Sequence, residues 1–362
     1  DLTIFDEAHY YKEAGGQRAP SGTYLFAREL MKHTKNAWFL TGTPIANKII
    51  DLWALFHLTS HELGVGENYM AFGMKYAGGK EEAEVEGFSP PYNFDGLTNM
   101  NELKQRSSNV LLWRYKDDVA GIPVQQLYKK ELKMPISVQT HIGVDYGTTS
   151  LRDWDISEFG GRRNQRGARR MKILGEIAMW KAPFSIEEAI NAIEEGHKVI
   201  LFSSFSDKNV PVMPVFEEAL AKYFAEYPAR KFKYVKVMGS VSKSLKSQRV
   251  RQFTDDVGTK LLLGNIKTAG TGLNLQAATY SIFNDVHDSP SQHEQAEDRT
   301  RRINQLSCTE VVYMISDALE DEKIWDKLWR RRVNVERAQE GRDDPLAYQR
   351  DSLVARVKQM HP

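Results

Sequence analysis

Two sets of residues, far apart in the chain, have the types and spacing to do chemistry. The first follows the apolar run Leu2 to Phe5 and reads Asp6-Glu7-Ala8-His9. A buried strand here would deliver two carboxylates to its C-terminal edge, where α/β sheets place their ligands. The alternative is an ordinary acidic helix start. The second lies between Lys260 and Gln305. The apolar run Leu261 to Leu263 leads into a loop with Gly264, Gly270 and Gly272, where backbone can approach a ligand closely. Tyr280 to Phe283, Asp285 and Pro290 follow, then a polar segment carrying Gln295, Arg299 and Arg302. Helical periodicity would put Arg299 and Arg302 on one face. A guanidinium is always charged, and its rigid fork of donors matches phosphoryl oxygens. Two of them beside a glycine loop suit a phosphate site. The alternative is a solvated basic helix paired with Glu294, Glu297 and Asp298.

The elements that must position these residues alternate. Tyr24 to His33 has helical spacing. Ala37 to Leu40 is a short apolar run ending in Thr41-Gly42-Thr43-Pro44, and Ile50 to Leu58 is an amphipathic helix. His61 to Asn99 contains an acidic stretch and an aromatic-rich SPPYNF, and is read as an insertion. Met100 to Asp118 is helical, and Gln125 to Met134 alternates as a strand. Arg162, Arg163, Arg166, Arg169 and Arg170 form the densest basic cluster. It suits contact with a phosphate backbone, a basic linker, or both. From Met171 a second α/β pattern begins, with strands at Lys198 to Phe202, Tyr234 to Met238 and Glu310 to Ile315. Helices lie at Ile186 to Glu195, Val215 to Tyr223, Gln248 to Phe253 and Asp321 to Arg337. Trp325 and Trp329 read as a packing stripe on the last helix. Alternating strands and helices predict an α/β fold with a mostly parallel sheet.

Length and composition set bounds. A chain of 362 residues suggests about two domains. Hydrophobic residues make up 41% and charged residues 27%, enough for a core in each. A net charge of +1 leaves nucleic-acid binding open, because a local basic groove can sit on a neutral protein. Cys308 is the single cysteine, which rules out an internal disulfide or a cysteine-cluster zinc site. It fits a reducing compartment. No apolar run is long enough to span a membrane, and no signal peptide is present. The chain opens at Asp1, inside a strand-like LTIF, and is read as a fragment.

DEAHYYK, AWFLTGTPIANKIIDLWALFHL, KVILFSSFSDKN, GSVSKSLKSQRVRQF, IKTAGTGLNLQAA and QAEDRTRRINQ occur in that order. Together they resemble the motifs of the Swi/Snf-type DNA translocases of helicase superfamily two, nearest the compact annealing-helicase-like branch. The resemblance implies an α/β fold of two RecA-like lobes with parallel sheets. The first would be truncated at its N-terminus, with a helical insertion between them. Residues 1–60 would be the later part of lobe one, 61–160 the insertion and linker, 161–337 lobe two, and 338–362 a tail. It implies ATP and Mg2+ as cofactors. Asp6 would hold magnesium, Glu7 would orient the attacking water, and Arg299 and Arg302 would stabilise phosphoryl charge. His9, Thr41, Gly42, Thr43, Gly270, Gly272 and Gln295 would line the nucleotide site. Ser203, Gly239, Ser240, Lys267 and Thr268 would contact DNA, mostly at phosphates.

The implied function is an ATP-dependent translocase on double-stranded or branched DNA. The alternatives are a non-enzymatic nucleic-acid-binding scaffold, a strand-separating helicase and a restriction-system motor. No membrane is involved. The expected compartment is a bacterial or viral cytoplasm, at the nucleoid, with the nucleus as the alternative. Three departures stand out. No GxxxxGK[ST] phosphate loop occurs, so these residues alone are expected to be inactive. Asp288-Ser289-Pro290 stands where the family has Trp-Asn-Pro, and Arg301 and Asn304 replace its usual His and Gly. Trp113 likewise replaces an arginine in NVLLWRYKDDVAGIP.

Overall fold

Phe5 and Phe39 stack at 4.5 Å, which fixes the first two strands on one another. Strand β1 (Leu2–Phe5) runs parallel to β2 (Asn36–Phe39), with these two residues in register. The computed structural model describes residues 2–14, 19–81, 92–112, 122, 125–141, 163–205, 210–269, 273–287, 289–302, 305, 307–340 and 357–360. They form two compact units. The first takes in Asp1–Arg114, Ser289–Ser291 and Trp329–Asp351, and the second takes in Tyr115–Asp288, Gln292–Leu328 and Ser352–Pro362.

In the first unit, helix α1 (Gly22–Met31) begins at Ser21, whose hydroxyl accepts the Tyr24 N–H, a standard N-cap. Tyr24 and Ala27 are buried with Phe5, Ala54 and Leu58. Helix α2 (Asp51–Leu58) is apolar nearly all round and buried accordingly. The stretch read as an insertion supplies α3 (Glu62–Val65), α4 (Tyr69–Tyr76), the short antiparallel pair β3 (Lys80–Glu81) and β4 (Tyr92–Asn93), and α5 (Met100–Ser107). It is not a peripheral loop. Leu63, Phe72, Tyr76, Phe94, Met100 and Leu103 share one core with Ile49, Trp53 and Phe56. Gly64 lets α3 close on α2, since a Cβ there would lie 2.1 Å from the His57 nitrogen.

The second unit is built on seven strands: β5 (Gln125–Leu132), β6 (Val199–Ser203), β7 (Lys233–Val237), β8 (Thr259–Asn265), β9 (Tyr280–Phe283), β10 (Thr309–Ser316) and β11 (Val357–Met360). Their order is β11-β5-β10-β9-β6-β8-β7, and every pairing is parallel. Every residue of β6 and β9 is buried, as expected for a sheet covered on both faces. The helices are α6 (Ile136–His141), α7 (Arg163–Glu194), α8 (Val212–Glu226), α9 (Lys243–Asp255), α10 (Ile266–Ala269), α11 (Pro290–Glu297) and α12 (Leu319–Glu340), the start of α11 and the residues of α12 from Trp329 being counted with the first unit. Ala182, Ile186 and Ile190 of α7 pack with Val212 and Phe216 of α8 over Leu201 and Leu263.

The α/β class with parallel sheets is what the sequence implied. Three details differ from the reading. The alternating stretch at Gln125, placed in a linker, is strand β5 and pairs with β10 along its whole length. The compact units also divide the chain differently from 1–60, 61–160, 161–337 and 338–362, since the first takes in Trp329–Asp351. Finally, the basic stretch from Arg163 to Arg170 opens α7, a single 32-residue helix that runs through Pro183. Arg162 lies outside the described residues.

Candidate functional site

Glu7 has φ 49° and ψ 51°, the left-handed region that a residue with a Cβ seldom occupies. Neighbouring hydrogen bonds hold it there. Leu40 N donates to Phe5 O at 2.8 Å, Ala8 N donates to Leu40 O at 2.9 Å, and Glu7 N donates to Asp6 Oδ1 at 2.9 Å. The chain thus turns sharply at the end of β1, leaving Asp6 exposed and the Glu7 side chain 45% accessible. Such outliers concentrate where structure over-determines them for function.

His9 ties this turn to the next strand's end. It is buried, with Nδ1 3.0 Å from Thr41 Oγ1, 3.5 Å from Thr43 Oγ1 and 3.3 Å from Glu7 Oε2. Thr43 N donates to Thr41 Oγ1 at 3.1 Å. Burial lowers the His9 pKa and outweighs the opposing pull of the Glu7 carboxylate. The imidazole is therefore neutral at neutral pH, a hydrogen-bonding link and not a second cation. Gly42 is exposed between the two threonines. Asp6, Glu7, His9, Thr41, Gly42 and Thr43 are thus brought together.

A second layer went unrecognised in the sequence. Lys12 Nζ lies 3.8 Å from Asp51 Oδ2, and that carboxylate accepts Asn47 N at 2.8 Å and Lys48 N at 3.2 Å. With its amide turned to satisfy both ends, Asn47 accepts from Lys12 at 2.5 Å and donates to Ser289 Oγ at 2.7 Å. The Asp at the start of α2 and the lysine three residues beyond His9 were the available signals.

In the second unit, the uniform strand direction brings the loops after β6, β7, β8 and β9 to one edge. Gly239, Ser240 and Lys267 are exposed there. Lys243 and Lys246 begin α9 beside them, with Lys246 Nζ donating to Gly239 O at 3.3 Å. Ser242 caps that helix by accepting Leu245 N at 3.3 Å. The capping serine followed by two lysines was a legible signal that the sequence reading did not use. Ser203, expected at the DNA, is placed differently from these. It is wholly buried, and its hydroxyl donates to Asp285 Oδ2 at 2.5 Å. Ser204 N donates to the other Asp285 oxygen at 2.8 Å. Ser203 is thus tied to Asp285 and to the Phe205 backbone. Burial raises the Asp285 pKa, against the hydrogen bonds that favour its charged form. Thr268 lies on α10, while Gly270 and Gly272 lie outside the described residues.

The arginine segment needs a correction. Helix α11 ends at Glu297, so Arg299 lies in the turn after it and Arg302 in the irregular backbone beyond, not on one helical face. Thr300 between them is buried and donates to Glu297 O at 2.9 Å, while Leu275 N donates to Arg299 O at 3.3 Å. Arg302 Nη2 reaches Leu273 O at 3.5 Å. Gln305 Nε2 donates to Gln276 O at 2.7 Å, with Ala278 O and Thr300 O also in range. Arg302 is thus held through its guanidinium at Leu273, and Arg299 through its carbonyl at Leu275. Gln295 is half-buried on α11.

The described residues contain no group of three or more His, Cys, Asp or Glu arranged to hold a metal. The exposed Asp6 fits magnesium nonetheless, since Mg2+ uses hard oxygen ligands and commonly takes one or two carboxylates together with substrate phosphates.

Parallel sheets, an acidic turn tied to a Thr-Gly-Thr turn, and arginines held at Leu273 and Leu275 define a helicase-type architecture of two RecA-like lobes. The SNF2-related domain matches residues 2–142 and the helicase conserved C-terminal domain matches residues 182–304. Together these take in most of the chain, including the Asp6–Glu7 turn, the Thr41–Thr43 turn and the Arg299–Arg302 segment; the chain belongs to the SNF2 family. Among its relatives is the human (Homo sapiens) DNA annealing helicase and endonuclease ZRANB3, 25% identical over 338 residues, covering 91% of this chain and 29% of that protein. Another is the Bos taurus SWI/SNF-related matrix-associated actin-dependent regulator of chromatin subfamily A-like protein 1. It is 24% identical over 327 residues, covering 90% of this chain and 32% of that one. The chain therefore spans less than a third of either relative. Among the described residues no helix is long and apolar enough to cross a membrane.

Proposed function

We propose that the protein is a motor that couples ATP hydrolysis to movement along double-stranded DNA, in the manner of the annealing helicases it resembles. The observation that carries this reading is the Glu7 turn. A carboxylate held in left-handed backbone beside an exposed Asp6, and linked through neutral His9 to Thr41, has no evident structural purpose. It suits a group that must be aimed at a reacting water. Bound Mg2+ and ATP would supply the electrophilic phosphoryl group and neutralise its charge. Asp6 would hold the metal, Glu7 would orient the water, and His9 would report the state of Glu7 to the Thr41–Thr43 turn. Arg299 and Arg302 would stabilise phosphoryl charge, and Gln295 is a further nucleotide contact. The exposed edge at Gly239, Ser240, Lys243 and Lys267 would meet DNA phosphates, so sequence specificity is not expected. One relative is by name a regulator of chromatin, which favours the nucleus over a bacterial or viral cytoplasm.

The test is Glu7→Gln in the full protein. ATP binding should stay within a few-fold of the parent while DNA-stimulated turnover is abolished. Loss of binding as severe as loss of turnover would remove Glu7 from this role. Absence of any ATPase activity in the parent would favour a scaffold that has kept the fold.

A further inference from the structure

We propose that the groove between α7 and α8 is a docking site for a basic amphipathic helix of a partner protein. The groove encloses about 650 Å³ and lies wholly within the second unit. Its two walls repeat one spacing. Pro183, Ile186, Glu187, Ile190, Asn191 and Glu194 come from α7, and Val215, Glu218, Ala219, Lys222, Tyr223 and Glu226 from α8. Each set follows i, i+3, i+4, i+7, i+8, i+11, one face of a helix. Two such faces side by side make a trough about 16 Å long at 1.5 Å per residue, the length of three turns of a third helix.

The floor is apolar, formed by Ile186, Ile190, Val215 and Ala219, while Glu187, Glu194, Glu218 and Glu226 stand along the rims. Arg230 and Tyr223 occupy Glu194, at 2.7 Å and 3.0 Å. Glu187 and Glu218 are exposed, and Lys222 is the one other cation in the lining. This sign is wrong for nucleic acid, whose binding depends on neutralising phosphates. It is right for a helix that lays an apolar stripe on the floor and sets Lys or Arg against each rim, a common recognition mode. The inference does not depend on the motor reading.

The test uses the full chain and a fluorescein-labelled 14-residue peptide with leucine at i, i+4, i+7 and i+11 and lysine or arginine flanking them. A control peptide carries glutamate at the flanking positions. Fluorescence polarisation should show the basic peptide binding at least tenfold more tightly than the acidic one. The double charge reversal Glu187→Lys, Glu218→Lys should weaken the basic peptide tenfold or more without lowering the melting temperature, because both residues are exposed. Ala219→Trp, which fills the floor, should weaken both peptides. Equal affinity for the two peptides, or indifference to the charge reversal, would overturn the proposal. So would competition by duplex DNA for the same site, or self-association of the chain that the reversal abolishes, since that would assign the groove to a second copy.

Discussion

The chemistry is concentrated in single residues whose backbone is already committed. Arg302 is held at the Leu273 carbonyl, whereas Arg301 occupies a position where the family has histidine. If Arg302 stabilises charge on the phosphoryl group, Arg302→Ala should lower DNA-stimulated ATPase activity by about a thousandfold or more. DNA binding without nucleotide should change little, and Arg301→Ala should be mild. Equal losses from the two substitutions, measured side by side, would reduce both to surface charge. The order of the motifs was enough to pick out these residues and the Asp6–Glu7 pair. Periodicity wrongly extended the helix through them. What stops α11 is tertiary: Thr300 is buried, and the backbone of Arg299 is used by Leu275. Nothing local in QAEDRTRR records that competition. The burial of Ser203 was hidden for the same reason, because its partner Asp285 lies 82 residues away.

At the level of elements, one contact fastens α7 to the far side of the sheet. Lys181 is wholly buried, and its ammonium donates to Asp321 Oδ2 at 2.7 Å and Met314 O at 2.8 Å. Asp321 also accepts Ser316 N at 2.8 Å and Ser316 Oγ at 3.0 Å. Removing one partner leaves an uncompensated buried charge, which costs about 3–5 kcal/mol. Lys181→Met should therefore destabilise the chain by that order in urea unfolding. The double variant Lys181→Met, Asp321→Leu should recover much of the loss, since an apolar pair of similar volume is often tolerated. A double variant no more stable than the single would show that Asp321 acts chiefly through Ser316. Nothing local hinted at this pair, because Lys181 sits in a run that reads as an ordinary helix. Strand β5 was legible as a strand from its alternation. Its place beside β10 was not, because a parallel partner more than 170 residues later leaves no local trace.

Across the whole molecule, nearly balanced charge puts the burden of DNA binding on placement. The chain carries 49 basic and 48 acidic side chains. Any affinity for a polyanion must come from where the cations sit, and Lys243, Lys246 and Lys267 sit together with Gly239 and Ser240 at one sheet edge. Each phosphate contact adds about −0.9 to the slope of log affinity against log salt. Lys243→Ala and Lys267→Ala should each reduce that slope by about one while weakening all duplex sequences alike. An unchanged slope would move the DNA track elsewhere.

The core of the first unit has a consequence for the chain's manufacture. Val335 and Ala338 are buried with Ile49, Phe72 and Met100, though well over 200 residues separate them. Chains emerge from the ribosome N-terminus first, at about 5–20 residues per second. Phe72 and Met100 are therefore exposed to the cell for at least several seconds before the helix that covers them exists. During that interval the nascent first unit has an unfinished apolar surface, and it is there that a chaperone would find its client.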